Sequence, residues 1–181
     1  MSKKRNVMEK THSKAKGWVP PEEYYAALPK FVLGSSVIFF NESGEILLLK
    51  TTYKEGWTVP GGTVDANESP RDAAVREVQE EIGLQKGMLS LLSIDSAINF
   101  FGERGTQFTF LGGTLSNKEI EKIIIQEEEI SEYRFVSTDE AVRLLNIRFA
   151  ARLPHVLKAI KENTTVYLEH GKPLTTFSKK W

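Results

Sequence analysis

Cysteine is absent from this chain of 181 residues. A protein without cysteine has no disulfide bonds, no thiolate metal ligands and no cysteine nucleophile, so these kinds of structure and chemistry are excluded. Disulfides are also rare in the reducing cytoplasm, and the absence of cysteine fits that compartment. We therefore expect a cytoplasmic protein.

The chain also lacks an excess of charge of either sign, because 24 basic residues balance 24 acidic residues. Proteins that bind nucleic acid through its phosphates usually display a basic surface. Nucleic acid is therefore not an expected partner, and any phosphate-binding site must be local. A basic stretch occupies residues 1–16, and we interpret it as a mobile arm.

Long hydrophobic runs are missing as well. No apolar stretch of the sequence approaches the roughly 20 residues of a membrane-spanning helix, and the first residues lack the apolar segment of a signal peptide. A content of 40% hydrophobic and 27% charged residues is instead typical of a compact domain. We predict one domain over residues 17–174, a tail at 175–181 and no membrane partner.

Strand and helix patterns follow one another along the chain. Residues 32–40 and 45–50 are rich in β-branched, aliphatic and aromatic residues and flank a turn at Gly44, which predicts a hairpin. Further strands are predicted at 89–94, 97–101, 106–110, 132–136 and 166–168, and helices at 21–28, after Ser116, at 138–145 and at 148–162 with an interruption near Pro154. This order favours an α/β (α+β) fold with a central mixed β-sheet and helices on its faces.

Residues 70–82 form the best-defined helix of the sequence. Ser69 is a favourable N-cap, Pro70 suits the first helical position, and Asp72 completes a capping box. Gly83 is a natural end for the helix. The helix is therefore specified at both ends.

One side of this helix carries three glutamates. Glu77, Glu80 and Glu81 repel one another near the helix C-terminus, where the helix dipole also disfavours negative charge. Mg²⁺ or Mn²⁺ would neutralise them, since hard cations prefer carboxylate oxygens. A solvated helix face is the alternative. The preceding Gly61 and Gly62 favour the metal site, because glycine lets the backbone approach a ligand closely.

The same segment resembles a known family. The pattern G-x5-E-x7-R-E-U-x-E-E-x-G-U, in which U is a bulky aliphatic residue, is the signature of the Nudix hydrolases. The residues that match it are Gly62, Glu68, Arg76, Glu77, Val78, Glu80, Glu81, Gly83 and Leu84. The resemblance implies a Nudix-type α/β/α sandwich. It also implies a metal-dependent enzyme that cleaves a phosphoanhydride bond in a nucleoside diphosphate linked to another moiety.

The resemblance implies a role for each position of the motif. The metal ligands that it implies are Glu77, Glu80, Glu81 and the carbonyl oxygen of Gly61. The structural residues that it implies are Gly62, Gly83, Glu68 and Arg76, with the arginine paired to Glu68 or Glu77. Glu80 or Glu81 is the ligand that we expect to be indispensable.

Members of this family often add a glutamate from a loop that precedes a late strand. Here that loop is 126–130, and we choose Glu129 by its distance from the strand at 132–136, ahead of Glu128 and Glu127. An exposed acidic loop is the alternative. In the implied reaction water attacks phosphorus, and Glu77 or Glu129 accepts the proton of the water.

The substrate is not specified by any pattern that we associate with particular members of the family. Trp57 and Phe100 can stack on a base, although core packing is the alternative for both. Lys54, Arg104 and Arg148 can contact phosphate, or they are ordinary surface charges. The moiety linked to the diphosphate therefore stays open among nucleotide sugars, dinucleotides and nucleoside triphosphates.

Two other functions stay open. A Nudix-fold module that binds nucleotides without turnover usually has a damaged motif, whereas the motif here is intact. An RNA 5′-end pyrophosphohydrolase would find support only in the basic arm, and the zero net charge argues against it. Because members of the family often form dimers, a homodimer is also considered.

Overall fold

The computed structural model describes residues 19–87, 89–98 and 104–174 of the chain. Its contacts divide the chain into two compact units, and the boundary along the chain falls between Lys30 and Phe31. The domain bounds of 17–174 stay a prediction. The first unit contains helix α1, Pro21–Ala27, which begins with proline and has no buried residue. The predicted arm, the predicted tail and Phe100 lie outside the described residues.

The second unit carries the sheet. Its described strands are β1 (Val32–Asn41), β2 (Ile46–Thr51), β3 (Trp57–Thr58), β4 (Ser90–Ile98), β5 (Arg104–Leu115), β6 (Ile130–Val136), β7 (Val166–Glu169) and β8 (Lys172–Pro173). Its described helices are α2 (Pro70–Ile82), α3 (Asn117–Ile120), α4 (Thr138–Leu144) and α5 (Ile147–Glu162).

All eight strands belong to one mixed sheet. Strand β1 runs parallel to β5, and β4 runs parallel to β7. The β1–β2, β2–β3, β2–β6, β4–β5 and β7–β8 pairs are antiparallel. The predicted central mixed sheet is therefore confirmed.

Two hydrophobic cores lie on opposite faces of the sheet, because successive side chains of a strand point to opposite faces. Val37 and Phe39 of β1 pack with Val78 and Ile82 of α2. The intervening Ile38 packs instead in a second cluster with residues of α4 and α5, among them Ala141, Phe149, Leu153 and Val156. Helices thus cover both faces, which confirms the α/β/α sandwich.

Two details of the predicted secondary structure were wrong. Helix α5 is not interrupted at Pro154, although proline removes one hydrogen bond of the helix. The flanking Leu153 and Val156 are fully buried, and this packing holds the helix together. The strands predicted at 89–94 and 97–101 are joined in β4 as far as Ile98, since the chain stays paired with β5 throughout.

Among the described residues, every helix is either too short or too polar to span a bilayer.

Candidate active site and the cavity beside it

Local capping fixes the position of α2. The Ser69 hydroxyl accepts a hydrogen bond from the backbone N–H of Asp72 at 3.1 Å and donates one to the Asp72 carboxylate at 2.7 Å. At the other end Gly83 adopts a left-handed conformation with φ of 70°. The helix therefore begins and ends where the sequence predicts, and this sets the direction of its glutamates.

Helix α2 turns one side to the core and the adjacent side to the motif loop. Ala74, Val78 and Ile82 are fully buried. Ala73 is also fully buried, whereas Val75 is only partly buried. The buried side of the helix therefore extends to Ala73.

The three helical glutamates differ in exposure. Glu81 is 4% exposed, and its Oε2 accepts a hydrogen bond from the backbone N–H of Gly61 at 2.7 Å. The side chain of Glu77 is 13% exposed and that of Glu80 is 50% exposed. The glutamates thus form a gradient from a buried carboxylate against the glycine turn to one at the surface.

Arg76 connects the helix to the preceding loop. Its Nε and Nη2 donate to the two carboxylate oxygens of Glu68 at 3.0 and 3.1 Å, and Nη2 also donates to the carbonyl of Thr63 at 3.0 Å. Its Nη1 donates to Glu77 at 2.8 Å and to Glu80 at 2.9 Å. The guanidinium thus contacts both of the glutamates that the sequence offered as partners.

Both glycines of the turn are required by close approach. A Cβ at Gly61, where φ is 144°, would overlap the backbone oxygen of Ser35. A Cβ at Gly62 would overlap the carboxylate of Glu77. The carbonyls of Pro60 and Gly62 accept hydrogen bonds from strand β1, whereas none of the described residues donates one to the Gly61 carbonyl between them.

The loop before β6 brings Glu129 to the same place. Its backbone carbonyl accepts a hydrogen bond from Thr52 at 2.8 Å, so the loop is tied to the end of β2. The negative charge of Glu129 contributes to raising the pKa values of Glu77 and Glu81. The choice of Glu129 ahead of Glu128 and Glu127 as a metal ligand stays a prediction.

Burial strongly affects the acidity of this carboxylate cluster, which we define as Glu77, Glu80, Glu81 and Glu129. Burial raises the pKa of Glu81 to about 8, with Glu77 and Glu129 adding to it and the Gly61 N–H opposing it. Burial also raises the pKa of Glu77, against the effect of Arg76. Among the described residues, no group of three or more acidic or histidine side chains is already gathered so that it could hold a metal ion. Hard divalent cations prefer carboxylate oxygens, and such an ion would have to draw these side chains together.

Tyr53 is a neighbour of the cluster that the sequence analysis did not single out. Burial raises its pKa, and the charges of Glu81, Glu129 and Glu77 raise it further, so its phenol lies within their field. Most of the residue is nevertheless exposed. The feature of the sequence that could have identified Tyr53 is its position as an aromatic residue in the loop that leads to the glycine turn.

A cavity of about 410 Å³ adjoins the cluster. Gly61, Gly62 and Lys54 line it, and Lys54 also lowers the pKa of Glu81, so this end of the cavity meets the carboxylates. Strands β1, β4 and β5 and the first turns of α5 supply most of the remaining lining. Its volume falls within the range of small-molecule sites, roughly 300–1,000 Å³.

The residues proposed from the sequence for substrate contact lie in three kinds of place, namely the cavity wall, the exposed surface and the core. Lys54 and Arg148 line the cavity, whereas Arg104 is exposed and is not part of the lining. Trp57 is 8% exposed in the core beneath α4 and α5, and the Arg134 guanidinium lies 4.9 Å from its ring centroid. The structure therefore favours core packing over base stacking for Trp57.

Residues 30–159 match the NUDIX domain as a family. The chain belongs to the Nudix family. The match covers the motif, the carboxylate cluster and most of the sheet.

Individual Nudix relatives agree with this membership. A protein of Bacillus subtilis (strain 168), provisionally named an 8-oxo-dGTP diphosphatase, is 36% identical over 83 residues, which cover 46% of this chain and 56% of that protein. An uncharacterized Nudix hydrolase of Listeria monocytogenes is 28% identical over 147 residues, covering 77% of this chain and 79% of the relative. The match to the first relative thus spans only about half of its length.

Solved Nudix structures share the fold. The crystal structure of a MutT protein from Methanosarcina mazei Go1 superimposes with a TM-score of 0.60 at 21% identity, covering 75% of this chain and 96% of that chain. At this level of identity the likeness concerns the fold alone.

Proposed function

We propose that this Nudix hydrolase cleaves a phosphoanhydride bond in a nucleoside diphosphate linked to another moiety, in a reaction that depends on Mg²⁺ or Mn²⁺. The observation that carries the proposal is the carboxylate cluster around the buried Glu81, next to a cavity of about 410 Å³ that Gly61 and Gly62 line. The nucleotide would lie with its diphosphate at the cluster and its nucleoside in the cavity.

The residues present suit a divalent cation. Glu77, Glu80, Glu81 and Glu129 would hold it together with the Gly61 carbonyl, and all of these donors are oxygens. When bound, the ion would neutralise charge on the phosphate oxygens and lower the pKa of a coordinated water. A cation would also remove the penalty that now raises the pKa values of Glu77 and Glu81.

The side chains around the cluster would orient the reactants. Lys54 lines the cavity and its charge lowers the pKa of Glu81, so its ammonium would contact a phosphate oxygen of the substrate there. Arg76 holds Glu77 and Glu80 in place through charged hydrogen bonds. Glu77 or Glu129 would accept the proton of the attacking water, and single glutamine variants separate the two.

The experiment is a panel of candidate substrates with release of phosphate-containing products as the readout. The panel contains ADP-ribose, nucleotide sugars, dinucleoside polyphosphates, NADH and nucleoside triphosphates, each with Mg²⁺ and with Mn²⁺. We expect turnover of one class, and we expect chelation to abolish it. Glu80→Gln and Glu129→Gln should lower turnover strongly, because each removes a charge from the cluster.

Glu128→Gln is the matched control, since it removes an exposed carboxylate from the same loop and should leave turnover unchanged. A Glu80→Gln variant with full metal-dependent activity would overturn the site assignment. A folded, metal-bound protein that turns over no member of the panel would overturn the proposed substrate class and favour a binding module.

A further inference from the structure

Ser35 of β1 lies against the glycine turn, although it belongs to neither the motif nor the carboxylate cluster. The residue is 1% exposed, so its backbone and its hydroxyl are both enclosed by protein. Its hydroxyl donates a hydrogen bond of 2.6 Å to the backbone carbonyl of Pro70, the first residue of α2. One side chain of the sheet thus holds the beginning of the helix that carries three glutamates of the cluster.

The backbone of the same residue holds the glycine turn. The N–H of Ser35 donates to the carbonyl of Gly62 at 2.8 Å, and the N–H of Val37 donates to the carbonyl of Pro60 at 2.8 Å. Gly61 lies between these two bonds and packs so closely on Ser35 that a Cβ there would overlap the Ser35 backbone oxygen. Ser35 therefore contacts both the turn and the helix that follows it.

The turn and the helix also meet directly. The N–H of Gly61 donates to Oε2 of Glu81 at 2.7 Å, and Arg76 donates from α2 to the carbonyl of Thr63 at 3.0 Å. The connection through Ser35 differs from these two, because it runs through strand β1. This strand pairs with both β2 and β5, so it gives the turn and the helix a common support within the sheet.

A metal ion makes different demands on side-chain ligands and on backbone ligands. The carboxylates of Glu77, Glu80 and Glu81 lie at the ends of rotatable side chains, so they can turn toward an ion. The carbonyl of Gly61 belongs to the backbone, and its place relative to α2 changes only if the turn or the helix moves. The position of this ligand therefore depends on the contacts that hold the turn and the helix together.

We propose that Ser35 is a positioning residue of the metal site, which holds the Gly61 carbonyl in place relative to the glutamates of α2. The inference rests on the proposed function for the metal ion, but it concerns binding of the ion and not the reaction. Ser35 acts through the backbone of Gly61 and Pro70. The single proton of its hydroxyl is used on Pro70, so the hydroxyl has none to donate to a ligand.

The test compares Ser35→Ala with Ser36→Ala. Ser36 is the next residue of β1 and is 5% exposed, and its hydroxyl lies 3.2 Å from the Phe108 carbonyl and 3.3 Å from Oγ1 of Thr109 in β5. Each variant removes one buried hydroxyl from the same strand, so each should lower the melting temperature by about 2–4 °C. Only the Ser35 hydroxyl bonds to the helix of the metal site, which makes Ser36→Ala the matched control.

The first readout is the affinity for Mn²⁺, measured by calorimetry without nucleotide. We expect Ser35→Ala to bind Mn²⁺ about tenfold more weakly than the wild type, the lower end of the usual effect of disturbing the support of a metal ligand. Ser36→Ala should keep the wild-type affinity, although it loses a similar amount of stability.

The second readout needs no metal. Amide hydrogen exchange of Gly61 in a chelator reports how firmly the turn is held, because this N–H is bonded to Glu81. Ser35→Ala should raise the exchange rate several-fold above that of Ser36→Ala. Because the two variants lose similar stability, the difference between them measures local loosening of the turn.

A wild-type Mn²⁺ affinity in Ser35→Ala would overturn the inference, even if exchange at Gly61 became faster. An equal loss of affinity in both variants would overturn it as well, because general destabilisation would then explain the loss. No binding of millimolar Mn²⁺ by the wild type would overturn the metal site and this inference with it. If the wild type binds Mn²⁺ and the variants differ as expected, but no substrate of the panel is hydrolysed, this inference stands and only the proposed reaction is overturned.

Discussion

The backbone N–H of Gly61 donates a hydrogen bond to Oε2 of Glu81 across 2.7 Å, although the two residues are 20 positions apart in the chain. The bond joins the glycine turn to the last turn of α2, and it stabilises the ionised form of the carboxylate. Burial outweighs it, so the pKa of Glu81 still rises to about 8 in the protein without metal.

The pKa of Glu81 predicts how the stability of the metal-free protein depends on pH. The folded state keeps this proton up to about pH 8, whereas the unfolded chain loses it near pH 4.5. Because the folded state binds more protons in this window, the free energy of unfolding falls as the pH rises through it. Denaturant unfolding in a chelator, measured across the window, should show a steeper decline for the wild type than for Glu81→Gln.

Glu127→Gln is the control for this measurement, because it removes an exposed carboxylate. It should follow the wild-type pH profile. Parallel profiles for the wild type and Glu81→Gln would contradict the raised pKa.

Gly62→Ala should weaken metal binding without unfolding the protein. A Cβ at this position would overlap the Glu77 carboxylate, so the ligand must move. We expect Mn²⁺ affinity to fall by about 10- to 100-fold, the usual effect of disturbing the support of a metal ligand. Titration with Mn²⁺, followed by calorimetry, measures the loss. Gly87→Ala is the matched control, since a Cβ there meets no other atom within 4 Å. An unchanged Mn²⁺ affinity in Gly62→Ala would rule out the steric argument.

Arg76→Lys should lower both stability and turnover. Lysine cannot donate in parallel to the two oxygens of Glu68 and also reach Glu77 and Glu80. The side chain is 28% exposed, so we expect a modest loss of about 1–2 kcal/mol in the free energy of unfolding. Denaturant unfolding and steady-state kinetics measure the two effects. Arg143→Lys, at an exposed position of α4, is the control and should change neither stability nor turnover. An Arg76→Lys protein with wild-type stability and wild-type turnover would contradict the bridging role of Arg76.

Ser69→Ala should lower both the stability of the protein and its kcat/KM, because it removes the N-cap of α2. Loss of an N-cap serine costs about 1 kcal/mol of stability, and here it also loosens the helix that carries three of the glutamates. Ser137→Ala removes the equivalent cap from α4 and should cost a similar amount of stability. Thermal unfolding should respond in both variants, whereas only Ser69→Ala should lower kcat/KM. A similar loss of turnover in both would mean that general destabilisation explains it.

Local signals explain why α2 and its surroundings could be predicted. The cap at Ser69, the glycine at 83 and the apolar spacing act within one or two turns, so they can be recognised without knowing the fold. Glu129 was chosen because its loop ends at a recognisable strand, and its role as a metal ligand stays a prediction. The continuity of α5 could not be predicted, because much of the packing that tolerates Pro154 comes from residues of β1 and β2, which are far away in sequence.

The cavity could not be predicted for the same reason. Two charged residues of its lining, Asp95 and Arg152, lie on β4 and α5, and only the folded sheet brings them together. The one signal was a charged residue within an otherwise apolar stripe, since Arg152 lies between Phe149 and Val156 on the buried side of its helix. In the sequence alone, such an arginine looks like a surface residue at the border of the apolar stripe.

The division of the core by the sheet has a consequence for how this protein can change. The helix that bears the carboxylates packs on one face, and the helix that bears Arg152 packs on the other. Substitutions on α5 can therefore alter the wall of the cavity while the helix that carries three glutamates of the cluster keeps its own packing.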